Sequence, residues 1–299
     1  MIFANELTKV FGSVTALDNV TFKIKSNSVF GLVGSNGSGK STFLRLVSGV
    51  YMPDGGSVGI EGASSFNNPE VKSKIAFLGD TPYFLPQSNL DEMAHFYASV
   101  YPTFDYNVFR RMLEIFPLDP KARISAFSNG MQRQAALILA MAAQPQYILM
   151  DEAFDGLDVV MRRVLANLIM EGVEKRGMTA VIASHNLREL EDVCDHVGLI
   201  HNGKILFNDR TESLRGGLHK VQAAFSAVPD MSVFERLNVL KTERTGSLVQ
   251  MVVRGDEQEI MGFINKLNPV FSECVEPTLE EMFVFELEAT GYDVKNILE

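Results

Sequence analysis

Cysteine is scarce, with Cys194 and Cys274 the only two in 299 residues. They are too few and too far apart in the chain for a disulfide framework or a metal site, and both read as buried thiols of a reducing compartment. Long apolar runs are missing too. No stretch reaches the about 18 consecutive apolar residues that cross a bilayer as a helix, so any membrane role has to come through a partner. Met1-Ile2-Phe3-Ala4-Asn5-Glu6 lacks the basic flank and apolar run of a secretory signal. Basic residues are the minority, 27 Lys and Arg against 37 Asp and Glu, for a net charge of -10. That balance argues against a surface made to hold phosphate backbones, and no nucleic-acid partner is expected. His95, His196, His201 and His219 have no ligand-spaced companions and are assigned no metal role. Neither a repeat of fixed period nor a low-complexity tract interrupts the chain.

What is present is an apolar fraction of 46%, ample for a globular core. Short β-branched runs alternate with helical stretches, the pattern of an α/β fold with a largely parallel sheet. The clearest strands are residues 29–33, 74–78, 147–150, 178–183 and 197–200. The last is followed by Asn202-Gly203 and residues 204–207, a two-residue hairpin that closes the sheet. Residues 89–116 read as an aromatic-rich helical insertion that breaks at Pro117-Leu118-Asp119-Pro120, within a helical subdomain of about 86–145. After Arg215-Gly216-Gly217 the pattern changes to strand-like 221–225 and 248–253 and amphipathic 257–267. We therefore divide the chain into a main domain, 1–215, and a small α+β C-terminal extension, 216–299. With no ligand-type cluster in it, the extension reads as a dimer-stabilising lobe, a regulatory module being the alternative.

Gly34-Ser35-Asn36-Gly37-Ser38-Gly39-Lys40-Ser41 fits G-x-x-x-x-G-K-[ST] between a strand and a helix predicted over 41–48. Glycines there let successive backbone N–H groups converge on one point, and the helix N-terminus adds partial positive charge, so the loop suits a polyphosphate. Lys40 would reach the β- and γ-phosphates, Ser41 would ligate Mg²⁺ and Thr42 would add a phosphate contact. Tyr147-Ile148-Leu149-Met150-Asp151-Glu152 is an apolar strand ending in two acids, the Walker-B arrangement of phosphate-loop ATPases. Asp151 would hold Mg²⁺ beside Ser41, and Glu152 would polarise the attacking water as general base.

Phe127-Ser128-Asn129-Gly130-Met131-Gln132-Arg133-Gln134, shortly before the acid strand, resembles the LSGGQ signature of ABC ATPases. Ser128 is a good N-cap for a helix over 130–143, which again offers a helix N-terminus to an anion. Asn129 stands where the first signature glycine usually does, and Met131 stands between Gly130 and Gln132 as a substitute. The resemblance covers residues 1 to about 215, with the family's motifs in the required order. It implies a P-loop NTPase fold of ABC-ATPase type, with an antiparallel β subdomain and a helical subdomain. It also implies that Ser128 and Gly130 touch the γ-phosphate of an ATP held by the opposite subunit, and that Phe11 stacks on adenine. Asp158 falls in the D-loop, which crosses the dimer interface, and His185 matches the switch histidine on the γ-phosphate. Catalysis would thus rest on Glu152, His185 and Lys40. Asp80 occupies the place of the family's Mg²⁺-sensing glutamine and joins Ser41 and Asp151 as a metal-site residue, while Ala153 replaces the proline that commonly follows the acid pair.

The function implied is that of an ATP-hydrolysing ABC transporter subunit, using ATP and Mg²⁺. It would pair as a homodimer or heterodimer and power a separate integral membrane permease from the cytoplasmic face of the cell membrane. Asp80, the Tyr97-Ala98-Ser99-Val100-Tyr101-Pro102 stretch and the extension are most similar to bacterial export-type subunits, including those linked to peptide-antibiotic resistance. A soluble ABC ATPase without a permease and a regulatory nucleotide-binding subunit are the alternatives.

Overall fold

A computed structural model of the chain describes residues 1–212 and 217–289. The chain separates into two compact units, Met1–Asn208 and Asp209–Glu299. The boundary expected at 215/216 lies outside the described residues.

In the first unit β1 (Ile2–Phe11), β2 (Val14–Ile24) and β4 (Gly55–Ile60) form an antiparallel sheet in the order β2-β1-β4. A second sheet has the order β5-β6-β7-β3-β8-β9 and contains β3 (Val29–Val33), β5 (Ile75–Leu78), β6 (Tyr147–Asp151), β7 (Thr179–Ser184), β8 (His196–His201) and β9 (Lys204–Arg210). The pairs β5/β6, β6/β7, β7/β3 and β3/β8 are parallel. Every residue of β3, β6 and β7 is buried, which is why these strands read as unbroken apolar runs with no alternation. The α/β expectation with its antiparallel subdomain is thus met, and the five expected strands lie within a residue or two of the observed ones.

Between the sheets runs α1 (Lys40–Val47), whose Phe43, Leu44, Leu46 and Val47 join Phe22, Phe30, Leu149 and Ile200 in one core. Phe22 packs between Phe30 and Phe43 at ring separations of 5.8 and 4.9 Å. Truncating such a buried ring costs roughly 3–5 kcal/mol. The short α2 (Pro69–Lys72) leads to β5. The helical insertion resolves into α3 (Leu90–Val100) and α4 (Tyr106–Ile115). Asn89 opens α3 with a reciprocal capping box to Glu92, and Asp105 caps α4. α5 (Asn129–Ala142) and α6 (Val159–Arg176) flank the acid strand in sequence. No helix among the described residues is long and apolar enough to cross a membrane.

In the second unit an antiparallel sheet has the order β11-β12-β10-β13, from β10 (Leu218–Ala224), β11 (Asn238–Thr245), β12 (Leu248–Arg254) and β13 (Phe271–Val275). Ile260 and Ile264 of α7 (Glu257–Lys266) pack with Val221, Ala223, Val249, Met251 and Val253 of the sheet. A last helix, α8, spans Leu279–Ala289. Two expectations are corrected here. Cys194 is buried, but Cys274 is only half-buried because β13 is an edge strand. And a ligand-type cluster does exist in this unit, where His219, Glu257 and Cys274 come together from three separate elements.

Candidate functional site: a phosphate cleft above the parallel strands

β3 ends at Val33, and the chain turns through Gly34–Gly39 into α1. A Cβ on Gly34 would lie 2.2 Å from the Ile200 carbonyl oxygen, and one on Gly39 would lie 2.6 Å from that of Ala16. Gly39 also adopts φ 115°, so both positions require glycine. Lys40 Nζ donates to the carbonyls of Gly34 (2.6 Å) and Ser35 (3.1 Å), which wraps the loop around the ammonium. The turn at Asn202-Gly203 braces the loop from behind, with Gly203 N donating to Ser38 O and Asp18 N to Gly203 O, both at 2.9 Å. No side chain caps α1, so its first backbone N–H groups are left for a ligand. The result is a cleft of about 430 Å³ lined by Asn36, Gly37, Gly39, Lys40, Ser41, Thr42, Asp80 and Glu152, with Val14, Thr15 and Ala16 of β2 on another wall.

The two acids behave differently although they are neighbours. Asp151 is the last residue of β6 and is 2% exposed. Burial pushes its carboxyl above the ordinary range, and the Asp80 and Glu152 carboxylates add to the effect while Ser41 and Arg45 oppose it. Ser41 is near enough to favour the carboxylate, yet neither Asp151 oxygen makes a full hydrogen bond. Glu152 leaves the strand with φ 51° and its N–H on Ala183 O at 2.9 Å. Its carboxylate then meets two cationic or donor groups, His185 Nδ1 at 2.9 Å and Lys40 Nζ at 3.7 Å. Lys40 is 5% exposed, and burial lowers its pKa against the opposing pull of Glu152 and Asp151. His185 follows β7, where Ser184 is fixed by hydrogen bonds to Glu189 and the backbone of Asn186.

A buried carboxylate with unsatisfied oxygens beside a hydroxyl is a suitable donor set for a hard divalent cation. Ser41 and Asp151 therefore fit Mg²⁺. Asp80 lines the same cleft, but its carboxylate faces Arg45 at 3.4 Å and is half exposed.

Four sequence-derived positions are not brought into this cleft. Phe11, exposed at the end of β1, stands edge-on to Tyr51 at 5.3 Å with Lys9 Nζ 5.2 Å from its ring centre. Ser128 caps α5 through Met131 N at 3.3 Å, and a Cβ on Gly130 would meet nothing within 4 Å. Asp158 caps α6 through Met161 N at 2.8 Å, beside the exposed Val159 and Val160.

Residues 17–155 match the family model described as "ABC transporter". The chain is 31% identical to the bacitracin transport ATP-binding protein BcrA of Bacillus licheniformis, over 69% of this chain and 68% of that one. The chain belongs to the ABC transporter ATP-binding family. Over almost its whole length, 95% of this chain and 97% of the other, the cassette is 26% identical to the ABC transporter ATP-binding protein YtrB of Bacillus subtilis. A solved ATP-binding subunit of an ABC transporter superposes on it with a TM-score of 0.66 at 25% identity, covering 72% of this chain and 92% of that one. The cassette binds ATP and is an ATPase of the P-loop type. Sequence reasoning missed several contributors to its cleft. Val14–Ala16 carry no local motif, and Asn202-Gly203 reads only as a hairpin turn, since their role here comes from packing against the phosphate loop. Arg45 and Arg133 were missed for a similar reason: Arg45 reaches Asp80 across from α1, and Arg133 Nη2 donates to the Asp80 carbonyl at 3.4 Å while Nη1 holds Asp155.

Proposed function

We propose that the cassette works as one of a pair, each ATP lying between the phosphate loop of one copy and the Ser128–Gly130 signature of the other, to power a separate membrane permease. The observation that carries this reading is the division of labour within one chain. Lys40, Glu152 and His185 converge on the cleft, whereas Ser128 and Gly130 are not among the residues that line it and stand at the N-terminus of α5, where a Cβ on Gly130 would meet nothing within 4 Å. A bound γ-phosphate would take Lys40 and His185 from Glu152, leaving that carboxylate to accept a proton from the attacking water. Mg²⁺ held by Ser41 and Asp151 would supply charge neutralisation at the phosphates, with Asp80 nearby to orient water. Asp158 would meet the partner at the start of α6, and Phe11 would approach adenine from the rim.

The helical insertion of residues 89–116 is the part proposed to grip the permease, which would hold the cassette on the inner face of the cell membrane. Export is the direction we favour, supported by the likeness to a bacitracin transport protein. The deciding experiment is light scattering on Glu152→Gln with and without ATP. A shift to twice the monomer mass on ATP addition is expected. A chain that binds ATP and stays at monomer mass would overturn self-pairing.

A further inference from the structure

We propose that the second unit holds a borderline-soft divalent cation, Zn²⁺ in the first instance, between His219, Glu257 and Cys274. The three residues are remote in sequence, and the fold of this unit alone brings them together. The register of β10 against β13 sets Cys274 opposite Val221, and His219 lies two residues back on the same face of β10. That face is the one covered by α7, whose first residue is Glu257. The cluster therefore forms where the helix begins, at the end of the sheet–helix layer, with His219 and Cys274 half-buried and Glu257 exposed.

The donor atoms, an imidazole nitrogen, a thiol sulfur and a carboxylate oxygen, all lie within 4.8 Å of one another. Cys274 Sγ and His219 Nδ1 are 3.6 Å apart. Tetrahedral Zn²⁺ with a Zn–S bond of about 2.3 Å and a Zn–N bond of about 2.05 Å requires these two atoms to be about 3.6 Å apart. The spacing is that of ligands sharing one ion, so little rearrangement is needed to bind it. A mixed S, N and O set favours Zn²⁺ or Co²⁺ over Mg²⁺ and Ca²⁺, which prefer all-oxygen shells. Three protein ligands leave a fourth position open, and the exposure of Glu257 gives it a path to solvent.

The test is titration of the full chain, reduced and freed of metal, with Co²⁺, followed by displacement with Zn²⁺. One equivalent should produce thiolate-to-cobalt charge transfer and the visible bands of tetrahedral Co²⁺, unaffected by excess Mg²⁺. The thiolate band separates this site from the phosphate cleft, which contains no cysteine. Cys274→Ser should abolish that band. His219→Gln and Glu257→Gln should each weaken Zn²⁺ binding at least tenfold against a chromophoric chelator. Glu257→Gln changes an exposed side chain at a helix start and keeps the variant set informative if another variant folds poorly. Absence of a thiolate band in the parent chain, a band that survives Cys274→Ser, or unchanged Zn²⁺ affinity in Glu257→Gln would overturn the proposal.

Discussion

Two helices of the first unit each offer an N-terminus suited to an anion, and they are finished in opposite ways. α1 opens from a left-handed glycine with no side-chain cap, its first turn facing a walled cleft in which Lys40 and two acids already stand. α5 opens from Ser128, whose hydroxyl caps the helix, and the space over Gly130 is empty. A helix N-terminus by itself is worth only about 0.3–1 kcal/mol to a nearby exposed charge. The first end becomes a binding site because loop backbone, buried ammonium and unsatisfied carboxylate surround it. Among the described residues nothing lies within 4 Å of a Cβ placed on Gly130, so the second end lacks the enclosure of the first.

The largest effect that could break this contrast lies at the first helix. Glu152→Gln should lower ATP turnover by about 10²- to 10⁴-fold while ATP binding survives, read by phosphate release beside nucleotide affinity. Unreduced turnover would remove Glu152 from the role of base. Lys40→Ala takes the buried ammonium out of the cleft and should weaken ATP binding itself by roughly 30-fold or more, on the scale of losing a buried charge partner. Retained affinity would mean that the loop backbone alone does the holding. Gly130→Glu sharpens the other side, placing an acid where γ-phosphate is expected. ATP affinity of the monomer should stay within about twofold, and turnover should fall at least tenfold. Equal loss of both would show α5 contributing within its own chain.

Asp151→Asn should raise the melting temperature of the nucleotide-free protein by about 2–4 °C while abolishing hydrolysis, because it removes a buried charge with unsatisfied oxygens. The sign follows from the raised pKa: the protonated carboxyl is the form that folding favours, so its contribution is kept at low pH and lost as pH rises through that pKa. A destabilised Asp151→Asn would mean that the charge is compensated. Smallest of all, Ser128→Ala should cost about 1 kcal/mol of stability through loss of the α5 cap.

The legible part of the molecule was the part in which geometry is local. Gly34–Ser41, Asp151-Glu152 and Ser128–Gly130 each combine a strand end or helix start with the residues that act there, so neighbours in sequence are neighbours in space. β1 and β2 escaped because their alternation is broken: Glu6 and Asn19 sit at φ 48° and 52°, and the pairing slips between Ala4 and Leu7. β11 gave no signal since nearly all of it is exposed. Arg45, Arg133, the Val14–Ala16 wall and the His219–Glu257–Cys274 cluster depend on tertiary packing, and no spacing rule reaches them.

The left-handed backbone at Glu152 also constrains how this cassette can change over evolutionary time. A φ of 51° costs most L-residues about 1–2 kcal/mol, least for Asn and none for Gly, and is most unfavourable for β-branched side chains. Loss of the acid to Gly or Asn therefore relieves the backbone at the very step that silences hydrolysis. For the backbone the drift from engine to nucleotide-binding regulator is downhill at this position, and it is opposed by the contacts that the Glu152 carboxylate makes with the buried Lys40 and with His185.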